Sequence, residues 1–231
     1  MKVVILAAGK GTRMLPLTQD IPKVLVEVNG KPFLYYVMKN LQQAGYEDFC
    51  VVVGYKKEKI FQFLGGYEFK AQTVEQKEQL GTGHALLQAK EFCGQDDFIL
   101  LGGDNLWSLE DLQALDKKSK YNFVCGREVE HPEKYGVLVQ KNGFLQEIVE
   151  KPDKFVGNLI NTGLYKFKPE IFSALSRIKP SSRGELELTD AVSLLAREKK
   201  VKVLKAQEWI DLGSRSDIPL VEKYLHKNWR E

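Results

Sequence analysis

Four β-favouring apolar residues, Val3, Val4, Ile5 and Leu6, run without a break into Ala7-Ala8-Gly9-Lys10-Gly11-Thr12-Arg13. A short continuous apolar run that ends in small residues describes a buried strand opening into a loop, and strands buried on both faces belong to α/β sheets. No bulky side chain blocks the approach of a ligand to this loop. Gly9 and Gly11 let several N–H groups converge on an anion, while Lys10 and Arg13 add positive charge. Lys23 follows ten residues after Arg13. The loop suits phosphate, yet it matches neither familiar template: Met14 stands where a dinucleotide fingerprint has its third glycine, and no window reads G-x-x-x-x-G-K-[ST]. Taken alone, the two glycines also fit a plain tight turn.

Further along, the periodicity alternates. Residues 31–44 (KPFLYYVMKNLQQA) place Phe33, Leu34, Val37, Met38 and Leu41 at helical spacing and stop at Gly45. Residues 49–53 read as a strand, 57–64 as a short helix, 67–74 as a strand, then a helix runs to Glu91 and a strand covers 97–101. Such β-α-β-α-β alternation predicts an α/β fold with a mixed, mostly parallel central sheet and helices on both faces, and ligands at the carboxyl ends of its strands. From residue 136 the pattern changes. Residues 136–139, 144–150 and 159–167 are strand-like with turn-length gaps, which predicts a small antiparallel sheet, expected as a lid over the first half. Helices are expected at 109–115, 169–175, 186–197 and 214–226, the last capped by Ser214 or Ser216, with strands at 122–129 and 201–204.

The composition excludes several classes. Hydrophobic residues at 43% and charged residues at 28% of 231 describe a globular chain, and 34 basic against 31 acidic residues, a net charge of +3, give no reason for a nucleic-acid-coating surface. Cys50, Cys93 and Cys125 are too few and too scattered for a disulfide framework or a metal knuckle. The chain enters its first strand directly after Met1, and no apolar run approaches membrane-span length. A cytoplasmic protein without membrane partners is expected.

Three further stretches carry chemistry. Gln76, followed by Gly81-Thr82-Gly83-His84-Ala85, can offer an amide to a nucleobase edge where backbone approaches closely, or can be a loop with Thr82 as helix cap. His84, alone at a helix start, reads as structural. Gly102-Gly103-Asp104-Asn105 ends a buried strand, so Asp104 is the first metal candidate, against the alternative of a helix-capping turn. Lys151 beside Glu150 could be an exposed hairpin pair.

L-A-A-G-x-G-T-R-x-x-P-x-T at residues 6–18, with P-K-x-L at 22–25, resembles the opening of the sugar-1-phosphate nucleotidylyltransferases, the nucleoside-diphosphate-sugar pyrophosphorylases. Seven later strings resemble the same family in order: Q-x-x-x-x-G-T-G-H-A from Gln76, G-D-N at 103–105, Y-G-V at 135–137, V-E-K-P at 149–152, I-N-T-G-L-Y at 160–165, G-E-x-E-L-T-D at 184–190 and W-I-D-L-G at 209–213. The resemblance implies a Rossmann-like nucleotidyltransferase fold, Mg²⁺, and conversion of NTP and sugar 1-phosphate to NDP-sugar and pyrophosphate. It makes Arg13 the clamp on the triphosphate, Lys23 the cation at the α-phosphate, and Asp104 and Asp211 the metal ligands. Leu6, Ala8, Gly9, Gly11, Thr12, Gln76, Gly81 and Thr82 match positions at the nucleotide. Gly136, Glu150, Lys151 and Asn161 match those at the sugar phosphate. Glu185, Glu187 and Asp190 read instead as capping or surface positions.

The Gln76 string looks most like uridylyltransferases for N-acetylglucosamine 1-phosphate. The G-D-N and E-K-P spellings resemble glucose-1-phosphate thymidylyltransferases and archaeal-type relatives. A pyrimidine nucleotide is expected, UTP ahead of dTTP. Two-domain relatives carry a left-handed β-helix with acetyltransferase activity; with the chain ending at Glu231, one domain is expected, its nucleotide part at about 1–120 and its sugar-phosphate part at about 121–231. A cytidylyltransferase for a non-sugar alcohol phosphate and a catalytically silent nucleotide-sugar sensor are the competing readings.

Overall fold

The structure, a computed structural model, describes residues 1–229. β1 (Lys2–Ala7) leads through 3₁₀ turns at Thr12–Met14 and Lys23–Leu25 to a small hairpin, β2 (Glu27–Val28) and β3 (Lys31–Pro32), and then α1 (Phe33–Gln43). β4 (Asp48–Val53), α2 (Lys57–Gly65), β5 (Ala71–Glu75), α3 (Thr82–Gln88), α4 (Lys90–Cys93), β6 (Phe98–Gly102), β7 (Asn105–Trp107) and α5 (Leu109–Ala114) follow. The second half holds β8 (Asn122–Glu128), β9 (Gly136–Lys141), β10 (Phe144–Glu150), β11 (Leu159–Phe167), α6 (Glu170–Leu175) and α7 (Leu188–Arg197). β12 (Val201–Lys205), β13 (Trp209–Asp211) and α8 (Ile218–Asn228) close it.

Nine strands form one sheet in the order β5-β4-β1-β6-β11-β8-β12-β10-β9. β5, β4, β1 and β6 are parallel. β11 runs antiparallel to both β6 and β8. The continuous apolar runs have a simple cause. Val3 and Ile5 of β1, Phe49 and Val51 of β4 and Ile99 of β6 face one core, under α1, α5 and α8, while Val4, Cys50, Val52, Phe98 and Leu100 face the other, under α3, α4, α6 and α7. A sheet covered on both faces demands apolar residues at every position, not every second one.

The expected mixed α/β architecture with helices on both faces is present, and β7–β13 and β2–β3 make two small antiparallel sheets. The strands expected as a lid are placed differently: β9, β10 and β11 join the main sheet beyond β6, with β8 and β12 between β11 and β10, and β11 covers the open edge of β6 by pairing with it. Other departures are local. Lys31 and Pro32 belong to the hairpin, so the helix begins at Phe33. The strand expected from residue 67 begins at Ala71, because Tyr67 and Phe69 pack with Phe63 and Tyr35 in an aromatic cluster. The helix expected to reach Glu91 breaks at Ala89 into α3 and α4. The helix expected from Ser214 begins at Ile218 with no side-chain cap; Ser214 forms a capping box with Asp217 on the 3₁₀ turn Arg215–Asp217 that precedes it. The three thiols are buried and unpaired. No helix among the described residues is long and apolar enough to cross a membrane.

Candidate functional site

β1 is flanked by β4, reached first along the chain, and by β6, reached later. The connections leave in opposite directions at this point, which opens a crevice beyond the carboxyl ends of β1 and β6. A cleft of about 490 Å³ lies there. Leu6, Ala8, Gly9 and Gly11 line it from the β1 side, and Gly102, Asp104 and Asn105 from the β6 side. Gly103 N–H extends the ladder by donating to the Leu6 carbonyl at 2.9 Å, so the two loop starts are locked together.

Gly11 ties the first loop to Lys23. Its φ is +63°, and a Cβ placed there would stand 2.7 Å from Lys23 Cβ, so the backbone passes where only glycine fits. Thr18 Oγ1 closes the same loop by donating to the Gly11 carbonyl at 2.8 Å. Lys23, 8% exposed, then reaches the cleft floor with Nζ 2.6 Å from Asp104 Oδ2. Asp104 Oδ1 accepts from Asn105 Nδ2 at 2.8 Å, and Asn105 Oδ1 accepts from the Trp209 indole at 2.8 Å. Asp104 therefore caps no helix; Ser108 does that for α5.

Asp211 arrives from the far end of the chain on β13, paired opposite Asn105 of β7, and the next residue, Leu212, donates its N–H to the Asp104 carbonyl at 2.9 Å. Burial, with the Asp104 carboxylate beside it, pushes the Asp211 carboxyl up to about 6, against the pull of Lys23 and Arg13. Two carboxylates held near one another, short of enough positive charge, form a natural seat for a divalent cation. No group of three or more acidic, His or Cys side chains gathers for a metal among the described residues. Arg13 lies exposed on its 3₁₀ turn, outside the cleft lining but within electrostatic reach of Asp211 and Tyr135. Thr12 is exposed beside it.

Opposite stands the segment after β5. Gln76, 5% exposed, lines the cleft, and its Nε2 donates to the Gly81 carbonyl at 3.0 Å. Gly81 has φ +98°, and a Cβ on it would meet the Leu186 carbonyl oxygen at 2.6 Å. Thr82 does not cap its own helix; its Oγ1 accepts from Leu188 N–H at 3.1 Å, holding the start of α7. On the third side Glu150, Asn161 and Tyr165 line the cleft. A register shift in β11 between Asn161 and Tyr165 turns Asn161 inward, where its Nδ2 donates to the Tyr165 hydroxyl at 2.6 Å. Glu150 keeps an open side toward solvent, yet burial raises its carboxyl above the ordinary range, Thr189 lowers it through a hydrogen bond and Glu187 raises it. Gly136 abuts it: a Cβ there would stand 2.8 Å from Glu150 Oε1. Lys151 is exposed at φ +41°, outside the lining, its N–H on the Tyr135 carbonyl at 3.0 Å.

Residues 183–189 form a cleft wall that the local pattern hides. Arg183, Glu185, Glu187 and Thr189 line it; Glu187 also holds the N-cap position of α7, in keeping with the capping reading but with no side-chain cap bond, and Asp190 is exposed in the first turn of that helix. The cause is long-range. Leu186 N–H donates to the Leu80 carbonyl at 2.7 Å and Leu186 O accepts from Gly83 N–H at 2.8 Å, stapling this segment onto the Gly81 turn. Gln79 also lines the cleft, donating to the Ala8 carbonyl at 2.7 Å. The G-E-x-E-L-T-D string was the available signal for the first group; nothing local singled out Gln79.

Cations and carboxylates gather here around Asp104 beyond the strand ends, an arrangement suited to aligning phosphates. That makes the class an enzyme of nucleotidyl transfer. The chain belongs to the nucleotidyl transferase family, whose family model matches residues 2–228. It is 40% identical over 229 residues to the bifunctional protein GlmU of Methanocaldococcus jannaschii, covering 97% of this chain and 54% of that protein. It is 38% identical over 238 residues to the UTP–glucose-1-phosphate uridylyltransferase AglF of Haloferax volcanii, covering 98% and 97%. A crystal structure of UDP-glucose pyrophosphorylase complexed with UDP-glucose superposes with a TM-score of 0.84 at 27% identity, covering 98% of each chain. The chain thus spans about half the length of the bifunctional relatives it matches and nearly all of the single-activity one.

Proposed function

We propose that this chain is a Mg²⁺-dependent sugar-1-phosphate nucleotidylyltransferase, joining an NTP and a sugar 1-phosphate into an NDP-sugar and releasing pyrophosphate. The observation that carries the reading is the meeting of Asp104 and Asp211 beside Lys23, across from the Gly9–Gly11 loop. UTP, ahead of dTTP, and glucose or N-acetylglucosamine 1-phosphate are the favoured substrates; the names of the Haloferax relative and of the UDP-glucose complex support uridine and glucose.

A phosphate oxygen of the sugar 1-phosphate attacks the α-phosphorus in line with the departing pyrophosphate, so the protein must neutralise and align two polyanions. Asp104 and Asp211 are the residues to hold Mg²⁺, which supplies charge neutralisation at the phosphate oxygens when bound. Lys23 sits where it can pass its hydrogen bond from Asp104 to an α-phosphate oxygen. Arg13, exposed at the rim, is free to swing onto the leaving pyrophosphate. Backbone N–H groups of residues 8–12 cradle the triphosphate. Gln76, Gly81 and Thr82 hold the base and Leu6 the ribose side. Glu150 accepts from sugar hydroxyls with Asn161 and Gly136 beside it, and Lys151 answers the sugar phosphate.

Purified protein given Mg²⁺, each NTP in turn and a panel of sugar 1-phosphates is expected to release pyrophosphate, fastest with UTP. Silence with every pair removes the proposal.

A further inference from the structure

The Gln76 amide is gripped from two sides. Its Nε2 donates to the Gly81 carbonyl and lies 3.1 Å from His84 Nδ1. A carbonyl only accepts, so the group facing Gly81 must be the NH₂, and the flipped amide is excluded. With both N–H bonds engaged, Oε1 is what remains for a ligand. It accepts from no group among the described residues and is not among the buried atoms lacking a partner, so it opens to the cleft.

His84 meets a second amide, Gln88 Nε2, at 3.2 Å from its own Nε2. A neutral imidazole accepts at one nitrogen only. Gln88 is partly exposed, so its whole amide can turn from the ring toward water without leaving a donor unpaired. Gln76 is buried, and a donor left unpaired there costs more. The cheaper tautomer therefore carries the proton on Nε2 and leaves Nδ1 bare for Gln76.

We propose that His84 is a positioning residue for base selection: by accepting from Gln76 at Nδ1 it fixes the amide oxygen toward the cleft, favouring a pyrimidine with an N3–H over cytosine. This rests on the proposed placement of the base at Gln76. Uracil and thymine donate from N3, whereas cytosine N3 only accepts and would face Oε1 as a second acceptor. Without His84, one bond to Gly81 is left to resist rotation of the amide, and the distinction between donor and acceptor blurs.

The test compares kcat/KM for UTP and CTP, with Mg²⁺ and a sugar 1-phosphate active in the panel, in the wild type and three variants. His84→Ala is expected to narrow the UTP preference about tenfold, mainly through KM, as loss of one hydrogen bond of about 1.4 kcal/mol would. His84→Asn, whose Oδ1 falls near the Nδ1 position, restores the preference. His84→Leu fills the space without an acceptor and behaves like Ala. In the wild type, long-range ¹H–¹⁵N spectra should report the Nε2–H tautomer of His84. An Nδ1–H tautomer, an unchanged preference in Ala and Leu, or restoration by Leu as well as Asn would overturn the proposal; the tautomer decides where a variant fails to fold. If no NTP is used at all, the proposed activity falls, while the tautomer still judges the His84 bond.

Discussion

The Lys23 ammonium stands 2.6 Å from the Asp104 carboxylate, a contact between residues 81 apart in the chain. Lys23 reaches that point because Gly11 lets the first loop press against its stem, and Asp104 because Asn105 and Trp209 brace it from behind. Asp211 leans on the same centre from β13. One ammonium thus faces two carboxylates, and changing one member of the set alters the others.

Replacing Lys23 with Met keeps most of the buried stem and removes the charge. Turnover, followed by pyrophosphate release, is expected to fall at least about a hundredfold, the scale for losing one stabilising contact to a transferring group. Stability should drop by only about 1 kcal/mol, since Asp104 remains partly open to water. A denaturant titration alongside the assay separates the two effects.

Asp211→Asn should abolish turnover yet raise stability. The native carboxyl sits at about 6, above its ordinary value of 3.8, so the folded state holds the proton more tightly than the unfolded one. The metal-free wild type should thus lose stability as pH rises from about 4 to 6, by about 1–2 kcal/mol, and stay level above that. In EDTA, Asp211→Asn should show a flatter profile and melt a few degrees higher at pH 7. Added Mg²⁺ should raise the melting temperature of the wild type and not of the variant. A variant that melts lower at neutral pH would contradict this account.

Gly81→Ala should both destabilise the fold and weaken nucleotide binding. The new methyl would meet the Leu186 carbonyl at 2.6 Å from a backbone at φ +98°. That carbonyl is backbone and cannot move alone, so a loss of about 2–3 kcal/mol in chemical denaturation is expected. KM for UTP should rise more than KM for the sugar 1-phosphate, because the Gln76 bond to the Gly81 carbonyl shifts with the turn.

The parts of this protein visible in the sequence are those with a local signature. β1, β4 and β6 were legible as unbroken apolar runs because both faces of the sheet are covered, and the loop after β1 because glycine and cations cluster there. Family strings pointed to Asp211, which no local pattern would have joined to Asp104. The wall at residues 183–189 escaped, since its place depends on Leu186 pairing with Leu80 and Gly83, contacts spanning about half the chain. The hydrogen bonds of His84 were hidden for a related reason: a lone histidine says nothing until the amides on either side of it are known. The lid expectation failed because hydrogen-bond partners of an antiparallel run cannot be read from its own residues; β11 could have paired only with its neighbours, and it pairs with β6 as well.

Glu150 offers the sharpest division between the two substrates. Its carboxyl is raised first by burial and further by Glu187, while a hydrogen bond with Thr189 lowers it. The native state therefore disfavours its charge, and that cost grows as pH climbs past the ordinary carboxylate range. Glu150→Gln keeps the size and one carbonyl acceptor but discards the charge, so the variant should melt at or above the wild type at pH 8. If Glu150 accepts from sugar hydroxyls, losing a charged acceptor should raise KM for the sugar 1-phosphate about tenfold or more, while KM for UTP changes less than about twofold. Thr189→Val removes the hydroxyl that holds the carboxylate and should move the sugar KM in the same direction by a smaller step. Equal increases in both KM values would place Glu150 in general upkeep of the cleft, whereas a rise confined to UTP would put the sugar on the wrong side of it.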